Sequence, residues 1–287
     1  MRAAFDALGP ILPGFMVDRA ADAEDEPVRQ RYRTVFVSDI HLGTPGCQAG
    51  ALLDFLKMHP SDNLYLVGDI VDGWQLRQRW YWPQSHNDVV QKLLRAARKG
   101  CRVVYVPGNH DEFARQFSGH QFGGIEIAQE AVHLTADGRQ LWVIHGDQFD
   151  RVIQCAKWLA YLGDNAYEFT LRLNRHLNNL RGRMGLPYWS LSAYLKQRVK
   201  TALNYVTGFE EAVANEARRR GHQGVVCGHI HRAEMRTIDG VLYCNDGDWV
   251  ESRTALIEHM DGRIELVRWA PLHDSEGLGH TMQMEAV

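Results

Sequence analysis

The chain has 287 residues, 45% of them hydrophobic and 23% charged, with a formal net charge of −3. This is the composition of an ordinary globular protein able to bury a full core, and it excludes a fibrous, low-complexity or generally disordered chain. No run approaches the roughly 18 apolar residues that span a bilayer, and the five cysteines, odd in number and without CxxC spacing, indicate neither a disulfide framework nor a thiolate zinc site and fit a reducing cytosol.

Residues 1–32 read as an N-terminal extension. Asp6 and Pro10 interrupt its mixed run, and acids from Asp18 to Glu26 follow, so it makes a poor secretory signal. From Arg33 short aliphatic and β-branched runs recur at Thr34–Ser38, Leu64–Val67, Arg102–Val106, Leu141–Ile144 and Gly224–Cys227, and they read as buried strands. Helical patterns lie between them at Ala51–Met58 and Asp88–Lys99, the second closed by Gly100. Such alternation predicts an α/β fold on a central sheet over 33–147 and 222–271.

Residues 148–221 break the alternation and read as an inserted helical cap. Phe169, Leu173, Leu177 and Leu180 recur at helical spacing, as do Leu191, Leu195, Val199, Leu203 and Val206, with a break at Gly182–Pro187. This segment carries 12 Lys/Arg against 6 Asp/Glu, which leaves a net of about −9 for the remainder of the chain. After it, Met235–Ile238, Val241–Asn245, Thr254–Glu258 and Ile264–Trp269 predict a strand meander turning at Asp239-Gly240 and Asp261-Gly262. Residues 272–287 form a tail.

Polar residues gather just past the strand ends: Asp39 and His41 after the first, Asp69 after the second, Asn109 and His110 after the third, His145 after the fourth, His229 and His231 after the fifth. In an open α/β sheet those ends meet in one crevice. Imidazole with carboxylate or amide oxygen suits manganese, iron or zinc. In Asp39-Ile40-His41 and His229-Ile230-His231, side chains two apart lie on one side of an extended backbone, so each pair is expected to converge on metal.

Asp39-Ile40-His41, Gly68-Asp69-Ile70-Val71-Asp72, Gly108-Asn109-His110-Asp111, His145-Gly146-Asp147 and Gly228-His229-Ile230-His231 resemble, in order, the five blocks of the calcineurin-like metallophosphoesterases. The resemblance implies a β-sandwich of αββα layers. It also implies a hydrolase with two divalent ions, one on Asp39, His41, Asp69 and His231, the other on Asp69, Asn109, His145 and His229. Two such cations acidify a bridging water for in-line attack on phosphorus. His110 would assist as acid or transition-state donor, oriented by Asp111 or Asp72, while Asp147 and Asp248 would be outer hydrogen-bond partners.

Within that superfamily Phe36–Gly43, Trp74, the helical insertion, Gly228–Arg232 and Tyr243–Trp249 are similar to the UDP-2,3-diacylglucosamine diphosphatases of lipid A synthesis. Those enzymes use manganese at the cytoplasmic face of the inner membrane and cleave the pyrophosphate of a UDP-linked acylated sugar. They carry arginine where this chain has His110, and their insertion is shorter. A basic cap with Trp158, Tyr161, Tyr188, Trp189 and Tyr194 suits acyl chains and a membrane interface. Trp74, Lys196, Arg198 and Lys200 are candidate substrate contacts. The alternatives on the same core are a phosphomonoesterase, a nucleotide phosphodiesterase or a nuclease, the last disfavoured by the acidic balance, and more remotely a non-catalytic scaffold.

Overall fold

The structure is a computed structural model and describes residues 30–152 and 208–270. Lys196, Arg198, Lys200 and the cap aromatics Trp158, Tyr161, Tyr188, Trp189 and Tyr194 lie outside the described residues. In chain order the described strands are β1 (Tyr32–Val37), β2 (Ser61–Leu66), β3 (Arg102–Tyr105), β4 (Gln121–Phe122), β5 (Ile125–Ile127), β6 (Ala131–Leu134), β7 (Gln140–Val143), β8 (Gly224–Cys227), β9 (Glu234–Ile238), β10 (Val241–Asn245), β11 (Thr254–Glu258) and β12 (Ile264–Arg268). The helices are α1 (Ala49–Met58), α2 (Gly73–Gln78), α3 (Gln84–Arg98) and the helical residues 208–219, here α4.

The strands form two sheets, ordered β12-β11-β1-β2-β3-β5-β4 and β6-β7-β8-β10-β9. The centres are parallel, β1-β2-β3-β5 in one sheet and β7-β8-β10 in the other. The alternation alone suggested one central sheet; the strands form two, the β-sandwich that the resemblance implied. Val35 and Val37 of β1 pack with Leu52, Phe55 and Leu93 of the helices, whereas Phe36 packs with Leu141, Val143 and Val226 of the other sheet. A strand covered on both faces is apolar throughout, whether its cover is a helix or another sheet, so the pattern alone does not separate the two cases.

The fourth layer comes from α4. Phe209, Val213 and Ala217 recur every four residues and are buried with Trp142, Ile144, Val225 and Tyr243 on the outer face of the second sheet. Residues 208–219, reckoned from sequence with the cap, thus belong to the core. The expected meander is also divided. β9 and β10 form a hairpin in the second sheet, turning at Asp239 and Gly240 (φ 46° and 82°), while β11 and β12 pair with β1 in the first. Residues 246–253 carry the chain across.

Phe36 is fully buried between the sheets, so Phe36→Ala is expected to lower unfolding free energy by about 3–5 kcal/mol in urea denaturation.

Candidate metal centre

β1, β2 and β3 are neighbours, as are β7 and β8, and each pair within a sheet runs the same way, so five loops emerge at one end of the sandwich. Backbone hydrogen bonds stitch them together: Asp39 N–H to Gly68 O (3.0 Å), His41 N–H to Asp69 O (2.9 Å) and Gly228 N–H to His145 O (3.2 Å).

The backbone at the paired motifs is not extended, as the sequence pattern suggested. Asp39, His41, Asp69, His229 and His231 all have positive φ, between 49° and 71°. For residues with a Cβ each such position costs about 1–2 kcal/mol, and strain of this kind clusters at functional sites because the surrounding structure must impose it. The side chains converge because left-handed residues turn them into the seam. Close approach needs bare neighbours: a Cβ on Gly68 would lie 2.2 Å from His145 Nδ1, and one on Gly108 would lie 2.3 Å from Asp69 Oδ1.

Two donor clusters result. His231 Nε2 lies 3.0 Å from Asp39 Oδ1 and 3.4 Å from His41 Nε2, and His41 Nε2 lies 3.9 Å from Asp69 Oδ2. On the other side, His145 Nε2 is 3.4 Å from the same Asp69 Oδ2 and 3.3 Å from Asn109 Oδ1, with the His229 ring 5.0 Å from that of His145. Asp39–His41–His231 and Asp69–His145–His229 each bring one ligand atom per residue within 4.8 Å of the others, and so does His41–Asp69–His110. Donors about 2.1 Å from a common ion stand roughly 3–3.5 Å apart.

The buried carboxylates are divided in use. Asp39 Oδ2 accepts the His229 N–H (2.8 Å) and Asp69 Oδ1 accepts the His110 N–H (2.8 Å), while Asp39 Oδ1 and Asp69 Oδ2 are buried without a hydrogen-bond partner. Bare anionic oxygens in a buried site call for cations. The donor set therefore fits divalent ions, one on either side of Asp69.

Without an ion the imidazoles take protons in that role. Burial opposes the charged form, but Asp39, Asp72 and Asp69 push His41 up to about 9. For His145 burial is likewise outweighed, chiefly by Asp69, and the ring is pushed up to about 10. Asp69 is held down at about 2 despite burial, mainly by His145.

Asp72 stands behind both histidines. Its Oδ2 accepts from His41 Nδ1 (3.1 Å) and lies 3.0 Å from His110 Nδ1, an ion-pair contact, and its Oδ1 caps α2 through Gln75 N–H (2.8 Å). Both rings thereby turn Nε2 toward the centre. His145 Nδ1 donates to Val67 O (2.9 Å), which fixes that ring in the same way. His110 lies against Trp74, with centroids 4.2 Å apart and Trp74 exposed at the rim.

Asp111 does not take the orienting role expected beside His110. It is fully buried and accepts Ile70 N–H (2.7 Å), Gly108 N–H (2.5 Å) and Tyr105 O–H (2.5 Å), which shapes the loop that carries Asp69. Asp147 forms a two-pronged pair with Arg115 (2.8 and 2.7 Å), and Asp248 organises the turn through Val250 N–H (2.8 Å). Asp246 was missed, although it follows β10 as the others follow their strands. It is fully buried, accepts Ser38 O–H (2.6 Å), and is raised well above the carboxylate range by burial and then by nearby Asp39.

The family model described as calcineurin-like phosphoesterase matches residues 32–233. The chain belongs to that family. This phosphoesterase, a metal-dependent hydrolase, is 28% identical over 244 residues to a UDP-2,3-diacylglucosamine hydrolase of Nitrosococcus oceani, covering 78% of the chain and 90% of the relative. It is 24% identical to the protein of the same name from Shewanella pealeana, covering 82% and 97%. Among solved structures, Vacuolar Protein Sorting 29 from Cryptosporidium parvum overlaps 83% of this chain and 91% of its own at 13% identity and a TM-score of 0.43.

Two outcomes follow for the phosphoesterase. Asp72→Ala is expected to weaken manganese binding about 10–100-fold in calorimetric titration, because both rings lose their orientation. Ion uptake displaces protons from His41 and His145, so below about pH 9 apparent affinity rises with pH, by about tenfold per unit for each proton displaced. Calorimetry in buffers of different ionisation enthalpy reads that release.

Proposed function

We propose that this phosphoesterase hydrolyses the pyrophosphate of a UDP-linked acylated sugar. In this reading Asp39, His41, Asp69 and His231 hold one divalent ion, and Asp69, Asn109, His145 and His229 hold a second, manganese in both positions. The supporting observation for the metal assignment is Asp69 Oδ2, buried without a partner between His41 and His145 at 3.9 and 3.4 Å. The names of the relatives from Nitrosococcus oceani and Shewanella pealeana support the substrate.

Bound there, the two ions supply Lewis acidity to the phosphoryl oxygens and make water acidic enough to act as nucleophile near neutral pH. The chain's own residues do the rest. Asp72 orders His41 and His110, and backbone amides fix one oxygen of Asp39 and of Asp69 so that the other stays directed inward. His110, with Nδ1 3.0 Å from Asp72 Oδ2 and Nε2 3.9 Å from Asp69 Oδ2, is placed to hand a proton to the departing oxygen. It stands where the lipid A enzymes carry arginine, and it offers a single ring N–H in place of a guanidinium fork. Trp74 at the rim offers the substrate an aromatic face. A lipid-linked substrate would bring the protein to the cytoplasmic face of the inner membrane as a peripheral enzyme.

Mass spectrometry of UDP-diacylglucosamine treated with the manganese-loaded protein is expected to show UMP and the lipid monophosphate; an unchanged UDP-diacylglucosamine together with phosphate release from p-nitrophenyl phosphate would point to a monoesterase. Asp69→Ala and His229→Ala should abolish hydrolysis of bis-p-nitrophenyl phosphate, whereas His110→Ala should lower kcat about 10²–10⁴-fold and leave manganese binding intact.

A further inference from the structure

Between Gly73 and Asn87 the chain carries Arg77 and Arg79 and no acidic residue, although the chain outside 148–221 has a net of about −9. The same stretch exposes aromatic surface: Trp80 is 74% exposed, Trp74 42% and Tyr81 38%. Both arginines are exposed as well.

The loop that follows α2 is held in shape. Trp82 is turned inward, its Nε1 donating to Asn87 Oδ1 at 2.8 Å and its ring meeting the edge of His86 with centroids 5.5 Å apart. Tyr81 meets the same ring at 5.8 Å. His86 is buried, and its Nδ1 accepts the Gly43 N–H at 3.1 Å, in the turn just after His41. With Trp82 and Tyr81 anchored, Trp80 is left projecting. The other end of α2 carries Trp74 against His110. The outward indole and the arginines therefore belong to the element that rims the centre.

We propose that α2 and the loop to Pro83 form a docking surface for an anionic lipid bilayer. An indole has an apolar body and a polar N–H, and it favours the interfacial layer of a membrane. Arg77 and Arg79 add attraction to anionic headgroups. Over 33–147 and 222–271 the rest of the core counts 14 Lys/Arg against 20 Asp/Glu, an excess of acid that opposes anionic lipid and favours this stretch, among the described residues, as the surface that meets it. A polyanion laid across the core would meet that repulsion along its length, which favours the bilayer over a nucleic acid. The inference deepens the reading of a lipid-linked substrate, and its test involves no turnover, so either can fail alone.

The metal-loaded full chain is mixed with vesicles of phosphatidylcholine alone, or of phosphatidylcholine and phosphatidylglycerol in equal amounts, and floated in a density gradient. Binding is expected only with phosphatidylglycerol and should fall with added salt. Arg77→Ala and Arg79→Ala should each lower partitioning about fivefold, and Trp80→Ala at least about threefold. All three should keep the far-ultraviolet circular dichroism and the bis-p-nitrophenyl phosphate activity of the parent. Unchanged partitioning of Trp80→Ala and of the arginine variants would overturn the proposal, as would tighter, Trp80-dependent binding to a single-stranded oligonucleotide.

Discussion

Two carboxylates buried at the seam between the sheets, Asp39 and Asp69, each give one oxygen to a backbone amide and turn the other toward imidazole, His231 at 3.0 Å and His145 at 3.4 Å. Removing an anion from water costs several kcal/mol unless positive charge meets it, and the surroundings are organised to supply that charge. Imidazoles on both sides hold protons well above their usual range when no ion is present. The same geometry leaves Asp69 Oδ2 facing His41 on one side and His145 on the other. Replacing protons with divalent ions uses the same electrostatic demand, and this is how a cluster of buried charges becomes a hydrolytic centre.

The sandwich makes the cluster possible. Parallel strands in each sheet deliver loops to one end, and the seam lets a group from the first sheet, Asp39 or Asp69, meet His145 and His231 from the second. Left-handed backbone at five of these positions is unfavourable locally. It persists because the loops are tied to one another by amide hydrogen bonds and because Asp111 gathers the amides of the Asp69 loop around one buried carboxylate. Helix α4 braces the other sheet, with Phe209 buried beneath it and 6.4 Å from the His229 ring.

Asp72 links the centre to its rim. One carboxylate caps α2, accepts from His41 and lies against His110, so the helix bearing Trp74 is held in register with both imidazoles. His86 repeats the arrangement one element later by joining the aromatic loop to the Gly43 turn. A few hydrogen bonds thus tie α2, α3 and the loop after β1 to one another.

Much of the site was legible in the sequence, because polar residues directly after buried aliphatic runs signal loops at strand ends. Asp39, His41, Asp69, Asn109, His145, His229 and His231 stand together in space as that rule required. The same rule applied to β10 reaches Asp246, which lies outside the five family blocks. Asp111 shows the limit: adjacency to His110 in sequence said nothing about direction, and the side chain turns to the amides of Ile70 and Gly108. The sequence by itself determined which residues are apolar, where strands end and which polar groups follow them, since these depend on local pattern and turn chemistry. Only the tertiary structure decided which strand goes to which of the two sheets, that α4 joins the core, and that the backbone at Asp39, His41, Asp69, His229 and His231 is left-handed. Those features follow from which surfaces pack together and which amides lie within reach across the seam, and a one-dimensional pattern of burial does not record the partner.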